Sequence, residues 1–136
     1  MNIPSESQHL SVSINQDFDH VYEFLSLPEN FPKWASGLAG SLRKVDEEWI
    51  AETPEGLMKV RFSEPNNFGV LDHWVSPSSE VEIYIPLRIV PNGNGCELIL
   101  TLFRLPGMSA EKFSADAEWV LRDLNAAKHI LERHAA

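Results

Sequence analysis

The sequence predicts an α+β fold: a curved antiparallel β-sheet of about seven strands, two short helices after the first strand, and a long C-terminal helix packed across the concave face. Three observations predict it. From about residue 41 to 105, strand-like segments alternate with turn signals so short that neighbouring strands must pair antiparallel. Before that run, the hydrophobic period switches from that of a strand to that of a helix. After it, Phe113, Ala117, Val120, Leu124, Ala127 and Leu131 form one narrow apolar stripe at helical spacing. A strongly twisted sheet curls, and a single helix cannot fill the concavity along its whole length. A pocket between sheet and helix is therefore expected.

The elements follow in order. Residues 1 to 8 read as a flexible lead-in, and HLSVSIN alternates with Leu10, Val12 and Ile14 on one face. Asp17 can cap a short helix whose Phe18, Val21, Tyr22 and Leu25 share a side, and Pro28 ends it. FPKWAS reads as a second short helix, with Asn30 as cap, Pro32 in the first turn and Gly37 as terminator. SLRKV and EWIAET join across Asp46-Glu47, and TPEG leads into LMKVRF. EPNN turns that strand back into FGVLDHWV, SPSS leads into EVEIYIPLRIV, and PNGNG turns into CELILTLFR. Pro86 cannot donate to a ladder, so a bulge there is open, and with it the parity beyond. Ser109 caps the long helix, with Glu111 at its start and Lys128, Arg133 and His134 near its end, as the helix dipole favours.

Composition narrows the function. A chain of 136 residues fits a single domain spanning 1–136, able to bury roughly two-thirds of its unfolded surface. The net charge of -9, with no clustered Lys or Arg, excludes nucleic acid as a partner and disfavours an anionic membrane surface. No apolar run approaches the ~20 residues of a membrane helix. MNIPSESQHL has neither the basic nor the apolar region of a signal peptide, and Cys96 has no second cysteine to pair with. A cytoplasmic address is expected. The histidines make no metal site, since no H-x-H or H-E-x-x-H occurs, and no cofactor motif is present. PNGNG joins two strands, so it is a hairpin turn and not a phosphate loop. Trp119 lies off the helical stripe and Trp74 on the outer strand face, which leaves a homodimer contact open at either.

GVLDHWVS, residues 69 to 76, carries the one pair that could be an acid/base dyad. Successive strand residues point to opposite faces, so Asp72 and His73 cannot act on one substrate atom. An even-numbered loop (Pro65-Asn66, or Glu64 to Asn67) sets Lys59 opposite Asp72 and Met58 opposite His73. Asp72 then lies outside with Lys59 and Arg61, and His73 points inward with Met58, Val60, Phe62, Leu71 and Val75. A plain hydrogen-bonded core histidine is the default for His73, and a hydrogen-bond donor or general base the functional alternative.

This element order, with FPKWASGLAG after the short helices and TLFRLPGMSAEKFSADAEWVLRDLNAAKHILE at the end, resembles the START-like (SRPBCC, helix-grip) superfamily over His9 to Glu132. That superfamily includes the birch-pollen allergen and bacterial polyketide cyclase/dehydrase-like proteins. The resemblance implies a hydrophobic cavity under the C-terminal helix for lipids, sterols, polyketides or quinones, and carries no catalytic residue across. The expected lining is Met58, Phe62, Leu71, His73, Ile85, Leu87, Leu100, Phe113, Val120 and Leu124, with His73 and Trp34 orienting a polar end. The leading reading is a carrier of a small hydrophobic or amphipathic ligand. Two alternatives are a cyclase/dehydratase-like enzyme using His73, with a second polar group beside it, and a protein-interaction module with an exposed apolar patch near Trp74 or Tyr84.

Overall fold

Residues 3–35, 41–53 and 56–133 are described by the computed structural model. β1 (Ser7–Ile14) turns Val12 and Ile14 into the core and leaves its serines exposed. It begins inside the expected flexible lead-in: Ser7 and Gln8 already pair with Phe103 and Leu102, and Glu6 receives an ion pair from Arg104 at 3.0 Å. Asp17 caps α1 (Phe18–Leu25) by accepting from the His20 amide at 2.7 Å. A 3-10 turn, Pro28–Asn30, then runs directly into α2 (Phe31–Trp34). This corrects the expected role of Asn30. Its backbone is already helical, so its side chain cannot cap, and it donates instead to the Phe24 carbonyl at 2.9 Å. Gly37, the turn after it, and TPEG residues 54–55 lie outside the described residues, as does His134.

β2 (Leu42–Val45), β3 (Glu48–Thr53), β4 (Gly56–Phe62), β5 (His73–Ser78) and β6 (Val81–Ile85) form a five-stranded antiparallel sheet in that order. β7 (Leu87–Asn92) and β8 (Gly95–Phe103) complete a three-stranded sheet in the order β1-β8-β7. The seven expected strands become eight because Pro86 divides EVEIYIPLRIV. Having no N–H, it cannot extend the ladder, and the sheet parts there. Parity is kept across the break: Ile83 and Ile85 before it and Leu87 and Ile89 after it all turn inward.

The stretch between β4 and β5 departs further from expectation. Residues 63–72 are not a tight turn. Gly69, at φ 73°, brings the chain against β7, where a Cβ would lie 2.5 Å from the Ile89 carbonyl oxygen. Gly69 and Leu71 hydrogen-bond to Ile89 and Leu87, and Val70 bridges Arg88. Asn66 holds this excursion: its Oδ1 accepts from the Phe68 and Val70 amides, and its backbone N–H donates to the Tyr22 hydroxyl at 2.9 Å. Phe62 therefore faces His73, and not Met58 as an even two- or four-residue loop would give. The displacement is by an even number of residues, so His73 keeps the inward face with Val60, Phe62 and Val75.

α3 (Ala110–Arg133) starts at Ser109, whose Oγ accepts from the Lys112 amide at 3.0 Å. Phe113, Ala117, Leu124, Ala127 and Leu131 of the expected stripe are buried. The helix packs chiefly on β1, and to a smaller extent on β8 and α2. Beneath its C-terminal half Val12, Ile14, Leu98, Leu100, Leu87 and Ile89 close into one core with Leu124, Ala127 and Leu131.

Candidate functional site

The inner face of the five-stranded sheet follows from the register. Trp49, Val60, Val75 and Ile83 lie in one row, and Phe62, His73 and Ile85 in the next. α2 drops Phe31 onto this face. The Phe31 ring centroid lies 5.3 Å from those of Trp34, Phe62 and His73, each edge-on, and Trp49 meets Phe62 at 6.3 Å. Phe31 is the hub of this aromatic cluster, and sequence reasoning passed over it. A large apolar residue directly before the Pro32 of a four-residue helix was the available signal.

Two polar groups are buried in the cluster. His73 is 4% exposed, and its Nδ1 lies 3.3 Å from the Leu71 carbonyl oxygen. A carbonyl only accepts, so Nδ1 carries the proton and Nε2 is left as an acceptor. Burial pushes the imidazole pKa down to about 4, against the opposing pull of the Leu71 bond and the nearby Asp72 charge. The ring is neutral at physiological pH. Trp34 is also 4% exposed, and its Nε1 has no hydrogen-bond partner among the described residues.

Asp72 does not lie outside with Lys59 and Arg61. It is buried opposite Pro86 and accepts four hydrogen bonds: from Tyr84 Oη at 2.7 Å, the Leu87 amide at 2.9 Å, and Arg88 Nε and Nη2 at 2.9 and 2.7 Å. The expected partners on β4 are engaged elsewhere, Lys59 with Glu48 and Arg61 with Glu82. The reason is the break at Pro86. A ladder without an N–H at that position leaves room for a carboxylate, which binds the next amide, Leu87, in its place. Burial raises the Asp72 pKa, but the bonds from Arg88, Tyr84 and Leu87 outweigh it and the net shift is downward. The same contact raises Tyr84. Asp72 and His73 use separate partners on separate faces, so no dyad forms.

Outside this clasp Tyr84 stacks between Trp74 at 5.4 Å and Phe103 at 6.3 Å, and the Arg61 guanidinium covers Trp74 at 4.1 Å. Trp119 is exposed beneath Arg122. Cys96 is buried, and burial together with Glu97 and Asp17 pushes its thiol up to about 11, so it is no nucleophile. Among the described residues no group of His, Cys, Asp and Glu is placed to hold a metal ion, and no helix is long and apolar enough to cross a membrane.

Of the eleven side chains expected to line a cavity, Trp34, Leu71, His73, Leu87, Leu100, Phe113 and Leu124 are buried, while Met58, Phe62, Ile85 and Val120 keep accessible surface. Trp34, Phe62 and His73 are brought together around Phe31. Leu71, Leu87, Leu100 and Leu124 belong to the closed core, which also takes in Phe31 and Trp34. An open cleft of about 930 Å³ runs over β2 to β6, and of the expected set only Met58 and Phe62 line it. Its other walls include Arg43, Lys59, Arg61, Glu48 and Glu82, most of them in solvated ion pairs, which suits water better than an apolar ligand.

No protein-family model and no curated protein sequence matches the chain. Solved structures do. DynU16, a protein of the dynemicin biosynthetic locus, superposes with a TM-score of 0.70 at 15% identity over 95% of this chain, which spans about half (48%) of DynU16. A START superfamily protein from Mycobacterium smegmatis gives 0.69 at 13% identity, with 93% of this chain and 97% of that one covered. The Aha1 dimer from Colwellia psychrerythraea gives 0.68 at 12% identity, with 93% and 96% covered. The fold is the START-like helix-grip fold.

Proposed function

We propose that the chain binds a small hydrophobic or amphipathic molecule, lipid-, polyketide- or quinone-like, between the inner face of the five-stranded sheet and α3. One observation carries this reading. α3 rests on β1, β8 and α2 and not chiefly on the larger sheet, while Trp49, Met58, Phe62, Ile83 and Ile85 turn inward and still keep accessible surface. Apolar side chains that face inward without being fully covered are what a ligand's surface would bury, at about 25 cal/mol per Å². The lining proposed is Met58, Phe62, Ile85, Phe113 and Val120, with Trp34 and His73 at the polar end. The neighbours in the START superfamily and the dynemicin biosynthetic locus are in keeping with it. The proposed address is the cytoplasm, supported by a lone thiol that admits no internal disulfide.

Catalysis draws less support. His73 as a general base would need a pKa nearer the working pH, and the neighbouring carboxylate, Asp72, is committed to Arg88. An interaction module has one observation in its favour, the Trp74–Tyr84–Phe103 stack on the outer face. Native mass spectrometry of protein freshly purified from its host tests the proposal. A retained small molecule that leaves on replacement of Phe62 by Asp is the expected result. Repeated recovery of empty protein, with a partner lost on replacing Trp74 by Ser, would move the reading to the interaction module.

A further inference from the structure

Two polar atoms of defined character sit on rings packed against Phe31. Trp34 Nε1 is a donor only, buried and without a partner among the described residues. An orphaned N–H of this kind is rare in a folded protein, because it forfeits its bond to water and gains nothing back. His73 Nε2 is an acceptor, since Nδ1 is turned to the Leu71 carbonyl. Both rings pack edge-on at 5.3 Å against Phe31, which is their common neighbour.

The cations of this half of the molecule are placed elsewhere. Lys33 on α2 is exposed, Arg43, Lys59 and Arg61 share the outer face by register, Arg88 is held by Asp72, and Lys44 sits half-exposed at the edge strand over Trp49. His73 supplies no charge at neutral pH. A carboxylate at the cluster would be desolvated with no counter-ion, which is costly.

We propose that the ligand is an uncharged molecule bearing a hydroxyl on an apolar body, its oxygen accepting from Trp34 Nε1 and its hydrogen reaching His73 Nε2 at the same site, and that fatty-acid-like carboxylates are discriminated against. This rests on the binding site proposed above. It adds a chemical class to that site, because a hydroxyl both accepts and donates while a ketone or ether satisfies Trp34 alone.

Three probes of one shape separate the two ideas: naphthalene, 2-naphthol and 2-naphthoate, titrated at neutral pH and followed by ligand-observed NMR. Naphthalene reports the apolar site itself. 2-Naphthol is expected to bind about tenfold tighter, the gain from satisfying a buried orphan donor, and 2-naphthoate more weakly than naphthalene. Trp34→Phe keeps an aromatic side chain, removes the N–H and is expected to erase the naphthol advantage. His73→Phe is expected to reduce it. Binding of 2-naphthoate equal to or above that of 2-naphthol overturns the proposal, as does a naphthol advantage that survives in Trp34→Phe. Naphthalene binding without any naphthol advantage overturns it too, and spares the binding site. If none of the three binds, the site falls and this inference with it. The series on the unmodified chain decides the matter even if Trp34→Phe does not fold.

Discussion

Acidification should unfold this protein in a window that His73 sets. Its imidazole has a folded pKa of about 4, against 6.5 when exposed, because burial disfavours the charged ring. Between those values the unfolded chain takes up a proton that the folded chain refuses, so stability falls as the pH falls. The contribution is complete above pH 6.5, begins to be lost as the pH drops through 6.5, and is gone by about 4. That gap amounts to about 3 kcal/mol, with no discount for solvent because the ring is 4% exposed. Urea denaturation at about pH 7.5, 6, 5 and 4, for the native chain and for His73→Phe, isolates the effect, since every other titrating group is common to both. The native chain should lose about 3 kcal/mol more than the variant over the window. His73→Phe can shift the whole curve by its packing against Phe31 and Phe62 without changing this difference. Parallel pH profiles for the two proteins would refute both the burial of a neutral imidazole and the acceptor role drawn from it.

Other substitutions probe the frame around the site. Asp72→Ala should cost about 2–4 kcal/mol in urea melts, because the Leu87 amide is left unsatisfied and Arg88 and Tyr84 lose a common partner. Arg88→Ala should cost less, its side chain being half-exposed, and the double variant should fall short of the sum. In the native chain the Asp72 contribution should survive above its ordinary pKa of 3.8 and fail only as the pH falls below it, through its depressed folded value, a window separate from that of His73. Gly69→Ala should destabilise by roughly 2 kcal/mol or more, since a Cβ there meets the Ile89 carbonyl and the Phe18 ring. Glu47→Gly should instead raise the unfolding free energy in urea melts by about 0.5–1 kcal/mol, because Asp46 and Glu47 both hold positive φ in the two-residue β2–β3 turn and the Lys44–Glu47 pair it loses is solvent-exposed.

Periodicity made the architecture readable, and it stopped where the chain left periodic structure. The α3 stripe and the β7–β8 hairpin were legible because each repeats one rule over many residues: Leu87, Ile89, Leu98 and Leu100 meet across the turn as alternation requires. The face of His73 was legible for the same reason. Its partner was not, because the 63–72 excursion is governed by one left-handed glycine and one bridging asparagine, neither of which leaves a periodic trace. Asp72 was misplaced by a local rule that held nearby. Lys59 and Arg61 are on its side of the sheet in sequence logic, but the ladder break at Pro86 offered a closer amide and Arg88 a bidentate partner. Phe31 was missed since a four-residue helix is too short to show an amphipathic period.

Asp72 and His73 stand side by side in the sequence and are buried to the same extent, yet the strand sends them to opposite fates. On the outer side the chain could satisfy a charge, because Arg88, Tyr84 and a freed backbone amide converge there, and the carboxylate is held ionised. On the inner side only a carbonyl and aromatic edges are available, and the imidazole is held neutral. A site with one fully paired ion behind it and only neutral polar atoms within it is poorly built to generate charge during a reaction, and well built to sort uncharged ligands by where their hydrogen bonds fall. The Asp72 clasp then has a second consequence for binding. It fixes the hairpin that carries both His73 and Ile85, so loosening it by Arg88→Ala should weaken 2-naphthol and naphthalene to a similar degree, whereas Trp34→Phe should act on 2-naphthol alone. A loss confined to 2-naphthol in Arg88→Ala would mean that the outer network reaches the polar end of the site by some route other than the position of β5.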